Sequence, residues 1–274
     1  LRRQTHARRE EIICGISFNS MSLFFFTVFY SILVSYLQPV CGSNSFFSEV
    51  NYRLPEHLLR GIPQQTDLIL TRRGFSLGYS RKYRQALWVI YILRAEDLEK
   101  ERVARSRRFQ ADPAVGDQAV LPRNYLKTGY DRGHLAPAAD MAYSMEAMEH
   151  SFFMTNISPQ IPGCNRGIWK RLENQVRRWA VKERELCVVT GPVFGPEEKN
   201  CGENGIPVPR GFYKVILDLT PPVKMIGFVI PNEPAGKRLD HFVTTVDRIE
   251  ALTGNDFFSV LPDELENRLE AEAD

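Results

Sequence analysis

The chain is poor in cysteine, with five in 274 residues (Cys14, Cys41, Cys164, Cys187 and Cys201) and no Cys-x-x-Cys pair. That spacing argues against a structural zinc site. Cys187 and Cys201 could form a disulfide in an oxidising compartment, or remain buried free thiols. Net charge is nearly absent, since 35 Lys and Arg stand against 33 Asp and Glu, so the total names no partner. There is no internal repeat and no low-complexity tract, and from about Tyr52 the sequence is that of a globular chain. Its apolar content suffices for the core of one large domain or two small ones.

Charge is also missing altogether between residues 12 and 48. Within that gap, residues 23–34 are densely apolar, and Arg2, Arg3, Arg8 and Arg9 precede them. A bilayer core needs about 20 apolar residues in one helix, and 16–37 is long enough if its Ser, Asn and Thr are tolerated. The segment reads either as a membrane anchor or as a signal peptide cleaved near Cys41-Gly42-Ser43. Met21 offers an alternative start, in which case the basic flank is not translated and the signal peptide gains. A lipid anchor on Cys41 fits poorly with Gln38-Pro39-Val40 before it. The expected organisation is a signal or anchor segment over 1–43, a linker over 44–53, and a globular domain over 54–274.

Charge is present where it matters more. Between residues 101 and 182 there are 13 basic and 8 acidic side chains, offset by an acidic C-terminal end. A local basic surface attracts a polyanion even when the total is near neutral. In the middle of this region lies Gly129-Tyr130-Asp131-Arg132-Gly133-His134-Leu135. Here a titratable imidazole stands beside a fixed positive charge, on what reads as a glycine turn allowing close approach to a ligand. Hydrolysis of a phosphodiester needs a base for water, positive charge near the phosphate and usually a metal. The motif points to a metal-dependent nuclease.

Strands are expected at 86–93, 152–157, 186–190, 212–219 and 223–230, the last two joined by a Pro221-Pro222 turn as an antiparallel pair. Helices are expected at 145–151, 166–184, 239–252 and 262–271. The mixture predicts an α+β fold rather than a doubly wound parallel sheet. In the helix over 166–184, Ile168, Trp169, Leu172, Val176, Trp179 and Ala180 form an apolar stripe that must face the core. Asn165 could simply cap it, and Glu173 with Arg177 could be a surface ion pair. If the helix packs beneath His134, all three border one cleft.

Several segments in order resemble the DNA/RNA non-specific endonuclease family, the ββα-metal (His-Me finger) nucleases of mitochondria and of bacterial secretions. They are Arg107 through Pro113, Tyr130 through Met141, Thr155 through Gln160, Asn165 through Glu173, Thr190 through Val193, Tyr213 through Val215, and Val246 through Gly254. Together they span roughly 54–269, a far more specific signal than one short motif. The resemblance implies a role for each matching position. His134 would be the general base and Asn165 the direct protein ligand of Mg²⁺, with Mn²⁺ as an alternative. Glu173 would orient waters around the metal. Arg107, Arg132 and Arg177 would brace the phosphate, and Asn156 would hold the geometry. It implies in-line attack by water, a metal-stabilised 3′-oxygen leaving group, 5′-phosphate products, and DNA and RNA as substrates.

A second class of function is a membrane-tethered nucleic-acid-binding protein of the same fold without catalysis. The presence of His134, Asn165 and Glu173 together argues against it. A nuclease that cuts without sequence choice endangers its own genome, which favours a bacterial, extracytoplasmic enzyme, secreted or anchored. A mitochondrial location is the alternative, although Glu10 and Glu11 sit badly in a transit peptide. A homodimer and a dedicated inhibitor protein are both compatible with the chain.

Overall fold

The computed structural model describes residues 56–273, apart from 62, 64, 65, 198 and 204. The expected anchor at 16–37 and linker at 44–53 lie outside the described residues. Among the described residues no helix is long and apolar enough to cross a membrane.

A 3-10 turn, Glu56–Arg60, leads into β1 (Leu68–Arg72), β2 (Phe75–Ser80), β3 (Gln85–Arg94) and the short α1 (Ala95–Glu99). After an irregular stretch come β4 (Asp131–His134), α2 (Met145–Ser151), a 3-10 turn (Met154–Asn156) and β5 (Ile157–Gln160). A π-helical turn, Cys164–Trp169, runs straight into α3 (Lys170–Glu183). There follow β6 (Glu185–Val193), the small hairpin β7 (Lys199–Cys201) and β8 (Ile206–Val208), then β9 (Gly211–Asp218) and β10 (Lys224–Pro231). A two-residue β11 (Val243–Thr244), α4 (Val246–Thr253) and α5 (Asp263–Ala271) complete the order.

Seven strands form one antiparallel sheet in the order β1-β2-β3-β6-β9-β10-β11. The fold is thus α+β, as expected. Successive side chains of a strand point to opposite faces, and here both faces are covered. On one face Val89, Tyr91, Val188, Phe212 and Ile216 pack with Leu172, Val176 and Ala180 of α3. On the other, Trp88, Ile90, Val189, Tyr213 and Val215 pack with Val246 and Ile249 of α4, Leu269 of α5, and Phe257. This double burial is why β3 reads as an unbroken apolar run.

Several expectations are corrected. The run 152–157 is not a strand: Phe152 caps α2, Phe153 makes a single bridge to Gln110, 154–156 form a 3-10 turn, and only Ile157 begins β5. Its apolar residues mimic a strand, yet the Asn156 amide folds the backbone back by bonding to Ser151 and Ala136. The helix over 239–252 begins only at Val246, because the Thr245 hydroxyl caps it, and 239–244 form a 3-10 turn and β11. Cys187 and Cys201 are free thiols in separate apolar clusters and do not pair. Gly133 is no turn but the third residue of β4, opposite Ser158. A Cβ there would collide with the Gln160 side chain, so packing and not ligand approach demands the glycine.

Candidate active site

β4 and β5 form a two-stranded antiparallel ribbon pairing Asp131 with Gln160 and His134 with Ile157. Two buried amides tie it to the main sheet. Gln85 of β3 accepts from Ser158 Oγ at 2.5 Å and donates to Pro207 O at 2.7 Å. Asn232 donates to Pro159 O and Pro209 O, and accepts from the Ile161 amide. Directly after β5 the chain enters the π-turn, so β4, β5 and the helix carrying Asn165 and Glu173 are one connected unit.

His134, at the end of β4, is 8% exposed. Its ring lies 4.7 Å from Phe152 and 5.4 Å from Phe109, centroid to centroid. Burial, and then the charges of Arg105 and Arg132, push its pKa down to about 3, so the imidazole is neutral throughout the physiological range. Nε2 is buried without a hydrogen-bond partner. Arg132 sits 4.3 Å over the Phe109 ring and Arg105 5.3 Å over Phe152. Each cation is held by an aromatic face rather than a carboxylate, which leaves its hydrogen-bond donors for a ligand.

Asn165 was open to a cap or a ligand role. It caps nothing: the residue at the N-cap of α3 is Trp169, without a side-chain bond. Instead its Nδ2 donates to Asp131 Oδ2 at 2.9 Å. Asp131 also takes two bonds from Arg166, at 2.8 and 2.5 Å. Burial raises the Asp131 carboxyl, but the bonds from Arg166 and Asn165 outweigh it and hold the group below its ordinary value. With the nitrogen bonded to Asp131, the amide oxygen of Asn165 is the atom left to act as a ligand. The turn that places it is π-helical and broken at Gly167 (φ −101°, ψ −109°), a distortion often found at functional sites.

Glu173 and Arg177 are not the surface pair that their spacing allowed. Arg177 Nη1 bonds Asp140 Oδ1 at 2.5 Å and its Nη2 reaches Asn174. Asp140, 3% exposed, takes a further bond from the Tyr91 hydroxyl at 3.0 Å. Arg177 is therefore already braced. Glu173 is half-buried, and burial raises its pKa against the opposing charge of Lys214. Arg107 is exposed on the irregular segment before β4, with no ion pair among the described residues. Asn156 is fully buried, and its three bonds fix the loop immediately after His134.

Three participants were not anticipated. The charge of Arg105 bears on both His134 and Glu173, lowering the pKa of the first and opposing the rise of the second. Asp140 anchors Arg177. Lys214, in the middle of β9, is 0% exposed with its Nζ unpartnered, 5.0 Å over the Trp169 ring and 5.9 Å from Tyr91. Burial lowers its pKa while Glu173 and Asp140 resist. Lys214 had a signal: a lone charge inside an apolar strand, in phase with Phe212 and Ile216. His150, by contrast, accepts from the Arg73 amide and stacks on Phe153, and Asp112 caps a turn while pairing with Arg72.

A buried neutral imidazole, arginines on aromatic faces and an amide tied to the same ribbon are arrangements that suit binding and cleavage of a phosphodiester. Comparison with known proteins agrees. The family described as DNA/RNA non-specific endonuclease matches residues 55–264, and the chain belongs to it. It is 31% identical over 216 residues to the mitochondrial endonuclease G of Bos taurus, covering 73% of this chain and 71% of that one. It is 29% identical over 256 residues to a nuclease of Nostoc sp., covering 86% and 92%. In the crystal structure of the EndoG/EndoGI complex, one chain superposes with a TM-score of 0.73 at 27% identity, covering 76% of this chain and 92% of that one. The protein is a nuclease, a hydrolase of phosphodiester bonds.

Proposed function

We propose that the chain is a Mg²⁺-dependent, sugar-non-specific endonuclease that cuts DNA and RNA to 5′-phosphate products. Its core is the ββα-metal finger made by β4, β5 and the helix that follows. The observation that carries this reading is the Asp131 carboxylate, on the same strand as His134, which takes the Asn165 amide nitrogen and so ties the proposed metal ligand to the ribbon that carries the proposed base. A single amide oxygen suits Mg²⁺, which prefers oxygen donors and keeps several waters; Mn²⁺ would fit the same donor. When bound, the metal supplies positive charge opposite the leaving 3′-oxygen.

The protein groups do the rest. His134 takes a proton from the attacking water at Nδ1, since Nε2 is sealed in the aromatic pocket. A base with a pKa of about 3 is weak, but a phosphate seated against Arg105 and Arg132 cancels part of the charge that depresses it. Base strength thus rises when substrate is in place. Arg132 and the exposed Arg107 contact the phosphate. Arg177 adds its field from a fixed position, and Glu173 orients water near Asn165. Contacts to phosphate and sugar position a strand without reading bases, in keeping with cleavage of either polymer.

The nuclease domain would be residues 54–274, with 1–43 serving as a signal or membrane anchor for an extracytoplasmic enzyme and 44–53 as linker. A mitochondrial location is the second reading, favoured by the similarity to mitochondrial endonuclease G. A homodimer and an inhibitor protein are further proposals, the latter suggested by the EndoG/EndoGI complex. The test is incubation of plasmid DNA and of RNA with Mg²⁺ or EDTA, followed by end analysis. Cleavage of both polymers with metal only, leaving 5′-phosphates, is expected. Binding without cleavage under any metal would instead favour a nucleic-acid-binding protein of the same fold.

A further inference from the structure

On the opposite face of the sheet, away from His134, α4 and α5 bring three carboxylates together. Asp247 and Glu250 come from α4 and Glu270 from α5, and one oxygen of each lies within 4.8 Å of the others. Oxygens sharing one Ca²⁺ at about 2.3–2.6 Å lie at most about 5 Å apart, so the spread suits one ion.

An acidic cluster alone means little, because solvated carboxylates gather without ligands. Glu270 is not solvated. It is 6% exposed, and its Oε1 is buried with no hydrogen-bond partner. The charges that act on it most are Glu250, Glu266 and Asp247, all carboxylates. Glu266, one turn earlier on α5, also keeps a buried, unpartnered oxygen. Glu250 is held in place because its Oε1 accepts from the Phe257 amide at 2.7 Å. Glu270 and Glu250 lie within hydrogen-bond reach of each other, so either a proton or a cation holds the pair together, while Glu270 Oε1 keeps no partner of its own.

We propose that Asp247, Glu250 and Glu270 form a Ca²⁺ site that clamps α4 to α5, separate from the nuclease cleft. Ca²⁺ suits it better than Mg²⁺. It takes six to eight oxygens in flexible geometry, whereas Mg²⁺ demands a near-ideal octahedron and dehydrates reluctantly. Asp247, which is exposed, forms the mouth, and waters complete the shell.

The test uses the full chain carrying Asn165→Ala, so that the amide proposed for the cleft contributes nothing. Calcium is titrated by calorimetry, and melting is followed with and without it. One Ca²⁺ per chain and a saturable rise in melting temperature are expected, with a smaller rise from Mg²⁺ at equal concentration. Asp247→Asn should weaken binding by about tenfold or more, and Glu270→Gln should abolish it. Asp247→Asn in the otherwise native chain should cut DNA at the native rate at 25 °C. Absence of saturable Ca²⁺ binding, or binding unchanged in Asp247→Asn, overturns the proposal. So does a parent that ignores Ca²⁺ while Glu270→Gln melts higher without it, since Glu250 and Glu270 would then merely share a proton.

Discussion

Lys214 and Val215 are neighbours on β9, both 0% exposed, and they point to opposite faces of one sheet. Val215 enters a cluster of Trp88, Val189 and Phe257 that is apolar throughout. Lys214 enters a layer where Tyr91, Asp140, Arg177 and Glu173 lie among the apolar contacts of α3. Burial of large apolar side chains, at about 1.5–3 kcal/mol each, serves both sides alike. Only the α3 side buries a network of charges against the sheet itself, at a cost that apolar residues of similar size would not carry; the buried Glu270 of the other side lies between α4 and α5. One face of the sheet therefore works mainly for stability, and the other spends part of its stability to hold charges in fixed positions.

The contrast breaks most sharply at Asp140. Asp140→Ala strands Arg177 and frees the Tyr91 hydroxyl, and loss of one partner of a buried pair costs about 3–5 kcal/mol. Denaturant melts should show that loss, together with reduced cleavage per folded molecule. Trp88→Ala, on the other face, is expected to cost a similar 3–5 kcal/mol or so while cleavage per folded molecule stays native. If both variants lose activity in proportion to stability alone, the division of labour between the faces is wrong.

A smaller effect comes from pH. His134 stays neutral in the fold down to about pH 3, whereas an unfolded imidazole takes up its proton near pH 6.5. Between these values the unfolded chain binds the extra proton, so this group's contribution to stability falls as pH falls through the window. His134→Phe should flatten the acid limb of stability measured from pH 6.5 to 4; an unchanged slope would mean that the imidazole is not buried as described.

The smallest expected change has the opposite sign. Lys214→Met replaces a buried cation with a thioether that suits the Trp169 and Tyr91 rings. Stability should hold or rise by about 1–2 kcal/mol. Cleavage should fall, because Glu173 loses the positive charge that favours its ionised form. A variant both destabilised and fully active would reverse the argument.

The same contrast explains what was legible beforehand. The 3.6-residue stripe of Leu172, Val176 and Ala180 and the β9–β10 pair across Pro221-Pro222 could be read because local period and turn chemistry decided them. β1 and β2 went unseen. β1 is a half-exposed edge that opens on three apolar residues in a row, and β2, although its sequence alternates, is short, fully buried and interrupted by Gly78. The run 152–157 was misread because a tertiary contact, the Asn156 amide, overrode its strand-like composition. In the site, His134, Asn165 and Glu173 were visible as residue types in order. The binding of Arg177 to Asp140 and of Asn165 to Asp131 was not, because partners 37 and 34 residues apart meet only after the sheet and α3 have packed. Arg105 stood in a row of exposed arginines with nothing local to single it out.

The most direct test of the account compares the initial rates of plasmid cleavage in Mg²⁺ by the native chain and by His134→Ala, with both melted to confirm folding. The account predicts a rate lower by about 10²–10⁴-fold in a variant that still melts cooperatively. Cleavage at the native rate by folded His134→Ala would contradict it, and the base would have to be sought elsewhere in the cleft.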